Sequence, residues 1–441
     1  MRSGKVKIFL FIIFFLLAMF IRNALFGSIV LIGMGIIAPV FILPELLLLP
    51  IVDYSMIAVN GVTINKVVIS FYILYFLTYL IKNKYFKSIN RIIYVVLFFL
   101  IVLIGIINVS FDSSVISYAG GMKEILITNF LINLPRLFLF FLMYYYYKAK
   151  GYRFTKNSIE IIKAIIPYIM LGILIYTIVF QHVTYWRNIV ARQSFEGSDP
   201  NEFSILIVSL SPYVFLNIYG SKNILFKVIN IIGLSAIFYI VVASGSRAGF
   251  ITFIFALILV AYFNKWIKIS LRNIGFLIAS LLSIIVIINS RFVNFNNLLL
   301  RFILEDSGLS STTGKRSDFW GNAIHLFPQR PIIGYGLSTY TSRYYNMLGT
   351  GIDAVMHNIF FQTLIQLGLL GVVVLFLAIK KPFSNKYIFK QKDKTLLLPF
   401  LALLILLFGG MSLSWLWREV IWINLAICYV LADQIKPNEN T

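Results

Sequence analysis

Long apolar runs separated by short polar breaks dominate the chain. Runs of 14–25 residues recur near 67–81, 92–111, 126–147, 159–180, 202–220, 228–244, 250–263, 274–290, 359–379, 395–411 and 421–434. Each reads as a helical span, because about 20 apolar residues cross a bilayer core and lipid leaves no water to satisfy an open backbone. The apolar–polar alternation of a membrane strand is not visible. Residues 8–52 are too long for one crossing and are punctuated by Pro39, Pro44 and Pro50. The pattern predicts an all-α, polytopic integral membrane protein with about 12–14 transmembrane helices. Only one polar interruption is long, residues 291–358. It divides the chain into N-terminal transmembrane helices with short loops (1–290), one large extramembrane loop (291–358) and C-terminal helices with a short tail (359–441). No internal repeat supports an inverted-repeat transporter.

Composition agrees. Of 441 residues, 60% are hydrophobic and 12% charged, with a mean hydropathy of +0.91. No soluble domain of this length hides so much apolar surface. The net charge of +22 is topological rather than a nucleic-acid footprint, because it sits in short loops. The loops at 82–91, 148–158, 221–227, 264–273 and 380–394 hold sixteen lysines and three arginines. By the positive-inside rule they face the cytoplasm. The opposite loops, 112–125, 181–201, 245–249, 291–358 and 412–420, hold two lysines and nine arginines and face outward. A basic start on the inside needs an odd number of crossings before residue 67. The N-terminal Arg2-Ser3-Gly4-Lys5-Val6-Lys7 imitates a signal peptide but lacks a clean small-residue cleavage site, so it reads as an uncleaved first helix.

The single cysteine, Cys428, excludes an internal disulfide and a cysteine metal site. His182, His325 and His357 lack the spacing of a zinc hydrolase. The long loop collects Arg291, Arg301, Arg316, Arg330 and Arg343 with only Lys315. Guanidinium suits an anionic substrate, since it stays charged and offers a planar donor fork. Lys315 and Arg316 open a helix-like segment with Trp320, where backbone N–H groups also favour an anion. Ile332-Ile333-Gly334-Tyr335-Gly336 reads as an apolar turn with flexible glycines.

Four further places could carry chemistry. Ser244-Gly245-Ser246-Arg247-Ala248-Gly249 joins two spans by a tight turn; Arg247 there either snorkels to the interface or meets a ligand. Arg192 through Asn201 precedes another span, and Asp199-Pro200-Asn201 is a helix-start signal; Arg192 is its ligand-facing candidate and Arg187 a weaker one. His357-Asn358 opens the span at 359, as a helix cap or as a proton-transfer group with Asn358 to orient it. Arg136 lies within a span, where charge is costly, and either contacts substrate or pairs with Glu124. Trp415, Trp417, Arg418 and Trp422 read as an interface belt. His182 and His325 read as structural.

Together these motifs resemble the O-antigen ligase and O-antigen polymerase superfamily of bacterial glycan-assembly membrane proteins. The residues that carry the resemblance are Ser244–Gly249, Arg192–Asn201, Arg316 with Trp320, Pro331–Gly336, and His357-Asn358-Ile359-Phe360 with Gly368-Leu369-Leu370-Gly371. The resemblance spans roughly residues 180–380 by motif. It implies a metal-independent, cofactor-free inverting glycosyltransferase in the bacterial inner membrane, with its site facing the periplasm. The donor would be a glycan on undecaprenyl diphosphate, and the acceptor a sugar hydroxyl. Arg247, Arg316 and His357 match the family's essential positions; Arg192, Asn201, Trp320 and Asn358 would bind substrate, and Arg136, read from its place within a span, is a further candidate contact. Polymerisation of O-antigen or exopolysaccharide repeat units, with a chain-length regulator as partner, competes with ligation to lipid A core. A flippase of lipid-linked sugars is a third reading, but it would spread its charges over several spans.

Overall fold

The computed structural model describes residues 2–21, 23–55, 63–85, 89–179, 182–186, 190–194, 199–220, 223–263, 313–391, 393–414 and 418–435. It is helical throughout except for one antiparallel hairpin. Among the described residues seven helices are long and apolar enough to cross a membrane: Ile64–Lys82, Asn90–Val109, Met122–Lys150, Tyr152–Val179, Pro200–Ile218, Ile224–Ala243 and Ile359–Phe383. Shorter apolar helices include Arg247–Phe263 and Lys394–Gly410. The span expected at 274–290 lies outside the described residues, as do residues 291–312 of the long loop.

The chain divides into two compact units. The first comprises Met1–Val68, Arg153–Ser307 and Phe389–Gly409. Its start resolves the over-long apolar stretch into three helices, Arg2–Ile21, Ala24–Ile37 and Ile42–Ser55. The first break is chemical: the Asn23 side chain caps the second helix by accepting from Leu25 and Phe26 N–H. The second lies at Ala38–Pro39, where proline cannot continue the preceding helix. The hairpin pairs His182–Trp186 with Val190–Ser194, and its second strand lies against the helices Pro200–Ser209 and Ile224–Ala243. The sequence pattern did not announce it.

The second unit comprises Ile69–Tyr152, Gly308–Ile388 and Gly410–Thr441. Here Leu134–Lys150 packs on Glu419–Gln434, and Ile93–Val109 packs on Ile359–Phe383. Trp422 is fully buried and stacks on Phe98 at 5.7 Å. It therefore belongs to the packed interior and not to an interface belt; Trp415 and Trp417 lie outside the described residues. Residues Ile127–Asn133 form a π-helical turn just before Pro135. The wider turn accommodates a proline that would otherwise clash with the carbonyl one turn earlier.

The long loop is no separate polar lobe in its second half. It holds the helices Thr313–Leu326 and Thr339–Thr350, and between them the chain enters a break in the span Ile359–Phe383. Gly368 interrupts that helix at φ 66°, ψ −169°. Across the gap Tyr335 and Gly336 N–H donate to the carbonyls of Ile365 and Gln366, at 2.8 and 3.0 Å, while Leu369 and Leu370 N–H donate to Pro331 and Ile332. Leu337 N–H reaches the Gly105 carbonyl at 2.8 Å. Asn108 and Asn129 bind the carbonyls of Gly334 and Leu337. Gly334, Gly336 and Gly368 all have positive φ. A Cβ on Gly334 would stand 2.6 Å from the Gly368 nitrogen, and one on Gly336 2.5 Å from the Val109 nitrogen. The glycines expected to be flexible are locked instead, because only glycine lets the two backbones approach.

Candidate functional site

The helix Ile359–Phe383 begins at Asn358, whose side-chain oxygen accepts from Phe360 and Phe361 N–H at 2.9 and 3.1 Å. Its amide nitrogen donates to the Met411 carbonyl at 2.9 Å. Asn358 is buried and so serves as cap and strut in this structure. His357, one residue earlier, has φ 48°. Among the described residues only Lys84 shares a positive φ without being glycine. Such a backbone costs on the order of 1–3 kcal/mol and persists only where its surroundings impose it. Here the surroundings include the Ser414 hydroxyl, which accepts the His357 N–H at 3.0 Å. The turn after Lys394–Gly410 thus holds both residues from behind.

The imidazole faces the Phe319 ring, with centroids 6.4 Å apart. Phe319 and Trp320 lie on Thr313–Leu326. Trp320 stacks on Phe361 at 5.8 Å, and its indole N–H donates to the Met356 carbonyl at 3.2 Å. Arg316 is three and four residues before these rings, hence on the same helix face. The structure therefore brings Arg316, Trp320, His357 and Asn358 to one place. Side chains at Lys315 and before are outside the described set.

The other candidate arginines are partly occupied. Arg343 makes a bidentate pair with Asp353 at 2.6 and 2.7 Å, which holds the Asp353 carboxyl below its ordinary range. Arg330 lies over the Tyr335 ring at 5.1 Å. Arg291 and Arg301 lie outside the described residues. Arg136 makes its ion pair with Glu419, at 3.0 Å, in place of the expected Glu124. Glu419 is wholly buried at the start of the last helix. His325 is exposed on the last turn of its helix, and His182 begins the hairpin.

In the first unit, Arg247 is the first residue of Arg247–Phe263 and half-buried. The preceding Ser246 hydroxyl donates to the Asn201 side-chain oxygen at 2.9 Å and accepts the Gly249 N–H at 3.0 Å. A Cβ on Gly249 would run into Ser204. The small residues thus interlock two helix starts. Asp199 caps its helix as expected, accepting from Asn201 N–H at 2.6 Å. Arg192 pairs with Thr184 in the hairpin register; Arg187 lies outside the described residues. The Ser414 turn and Glu419 were missed from sequence. The available signal was Gly409-Gly410-Met411-Ser412-Leu413-Ser414 at the end of the span expected at 395–411.

Among curated proteins no relative matches this chain. Residues 232–376, which include Arg247, Arg316, Trp320, His357 and Asn358, match the family described as O-antigen ligase. That match, 145 of the 441 residues, supports a place for this stretch in the O-antigen ligase and polymerase superfamily.

Proposed function

We propose that the protein is an inverting glycosyltransferase that polymerises O-antigen or exopolysaccharide repeat units at the outer face of the bacterial inner membrane. The donor is a glycan on undecaprenyl diphosphate, and the acceptor is a sugar hydroxyl on another lipid-linked chain. The observation that carries the reading is His357, held in a strained backbone at a helix start inside the family match. Its imidazole takes the proton of the acceptor hydroxyl. The freed oxygen attacks the anomeric carbon, and the bond to the phosphate oxygen breaks. Undecaprenyl diphosphate leaves with the electron pair, and one displacement inverts the configuration. Arg247 and Arg316 stabilise the charge that grows on the leaving diphosphate. Trp320 and Arg192 contact the glycan, while Asn358 and Asn201 fix the backbone on which the reacting groups stand.

The test is transfer by purified, reconstituted protein from lipid-linked donor. His357→Ala should lower turnover by roughly 100- to 10,000-fold, whereas His325→Ala should keep most of it. Arg247→Lys and Arg316→Lys retain charge but lose the fork, and should be clearly impaired. A His357→Ala enzyme turning over near the wild-type rate would remove the proposed base. A product built on lipid A core, with none on a second repeat unit, would make the enzyme a ligase.

A further inference from the structure

The short helix Ser113–Tyr118 packs against Thr339–Thr350 and leaves a face that the transfer chemistry does not use. The Tyr118 ring lies 5.5 Å from Tyr344, Tyr344 lies 5.1 Å from Tyr345, and Tyr345 lies 4.2 Å from Tyr335. Tyr118, Tyr344 and Tyr345 are half-buried. The Tyr345 hydroxyl is fixed by donation to Asp112 at 2.9 Å, and the Tyr118 hydroxyl stands near enough to Asp353 to interact with its carboxylate. Beside these rings stands the Arg343–Asp353 pair, with side chains 39% and 44% exposed. An exposed pair of this kind adds little to stability, so it does not explain why the patch is built this way.

The chemistry of the patch is selective. Arg343 is neutralised by Asp353, so the face does not suit a phosphate. It offers ring surfaces for C–H contacts, guanidinium donors, carboxylate acceptors and phenols that can do both. That combination fits a sugar ring, with its apolar faces and its rim of hydroxyls. Asp353 precedes His357 by four residues, so their Cα atoms are at most about 14 Å apart. We propose that Tyr118, Tyr344 and the Arg343–Asp353 pair form a saccharide subsite that holds an internal sugar of the acceptor chain while its end is presented to His357. The assignment rests on the glycan-transfer reading and adds the place where the acceptor is gripped.

Two measurements test it. In the reconstituted assay, Tyr344→Ala and Asp353→Asn should each raise the acceptor KM on the order of tenfold, with kcat at saturating acceptor within about twofold and donor KM unchanged. Tyr344→Phe keeps the ring and should recover most of the affinity. Asp353→Asn conserves volume at an exposed position and keeps the test open if Tyr344→Ala fails to fold. Separately, the glycan released by mild acid from the native cell envelope should bind the purified protein, and bind the two variants more weakly. An active wild type whose variants keep the wild-type acceptor KM overturns the subsite and leaves the transferase intact. A wild type that transfers nothing overturns the transferase reading; the binding arm then judges the patch alone, and equal or absent binding rejects it.

Discussion

The backbone N–H of His357 donates to the hydroxyl of Ser414, 3.0 Å away and 57 residues on. The proposed base is therefore positioned from behind by a turn that carries no candidate chemistry of its own. Ser414→Ala should lower kcat by about fivefold, the equivalent of one lost hydrogen bond of about 1 kcal/mol, and leave donor KM unchanged. Ser414→Thr keeps the hydroxyl and should restore most of the rate. Equal kcat for the alanine variant would show that the turn does not position the histidine.

The left-handed backbone at His357 separates stability from activity. Asparagine tolerates φ near 48° better than histidine or alanine. His357→Asn should abolish transfer yet unfold at the same or a higher temperature, while His357→Ala gains nothing. Thermal unfolding in detergent, read by intrinsic fluorescence, gives the comparison. A large loss of stability in His357→Asn would mean that the imidazole itself supports the fold.

The Arg136–Glu419 pair is buried on the Glu419 side. Breaking a buried ion pair by removing one partner typically costs about 3–5 kcal/mol. Arg136→Gln and Glu419→Ala should both unfold well below the wild-type temperature, and the exchanged pair Arg136→Glu with Glu419→Arg should recover part of the loss. Single variants as stable as the wild type would show that neither residue depends on the other.

Asp353 sets a pH window for the sugar-binding patch. Its carboxyl is held below the ordinary range chiefly by the Arg343 hydrogen bonds and the nearby Tyr118 hydroxyl. A depressed folded value stabilises above the unfolded pKa and is lost as pH falls through the folded one. Acceptor KM should thus be insensitive to this group from about pH 5 upward and rise only below about pH 4. A profile set by Asp353 at neutral pH would contradict the Arg343 contact.

Gly368 tests the broken span. A Cβ there would strike the Ile332 carbonyl, and φ is already positive, so Gly368→Ala should cost more than the roughly 1–2 kcal/mol of a left-handed alanine. Gly351→Ala, at φ 70° with open space around it, should cost only that. Similar losses for both would mean that the backbone approach at Gly368 is loose.

Much of this was legible from hydropathy. The lysine-rich loops and apolar runs located the long helices because lipid imposes a length and a charge bias on every crossing. His357, Arg316 and Trp320 were recognisable as a set, and the structure brings them to one helix start and one facing helix. Ser414 and Glu419 escaped notice because their roles come from partners 57 and 283 positions away. Gly334 and Gly336 read as flexible turn residues for the same reason, and Gly368 as one position of a matched motif. A glycine's need for φ > 0 is local, but the backbone it admits is remote in sequence.

The break at Gly368 also bears on how the protein is assembled. It lies nine residues into a helix long enough to cross the bilayer, about 13 Å along its axis. Until residues 331–337 arrive, the peptide groups of Ile365, Gln366, Leu369 and Leu370 have no partner at that depth, and each unmet group costs several kcal/mol in hydrocarbon. Residues 331–337 in turn dock on Gly105, made far earlier in synthesis. The two halves of this span are thus stable in lipid only after a segment translated before them has folded back beside a helix inserted long before. The two halves of Ile359–Phe383 and residues 331–337 therefore depend on one another for satisfied backbone groups.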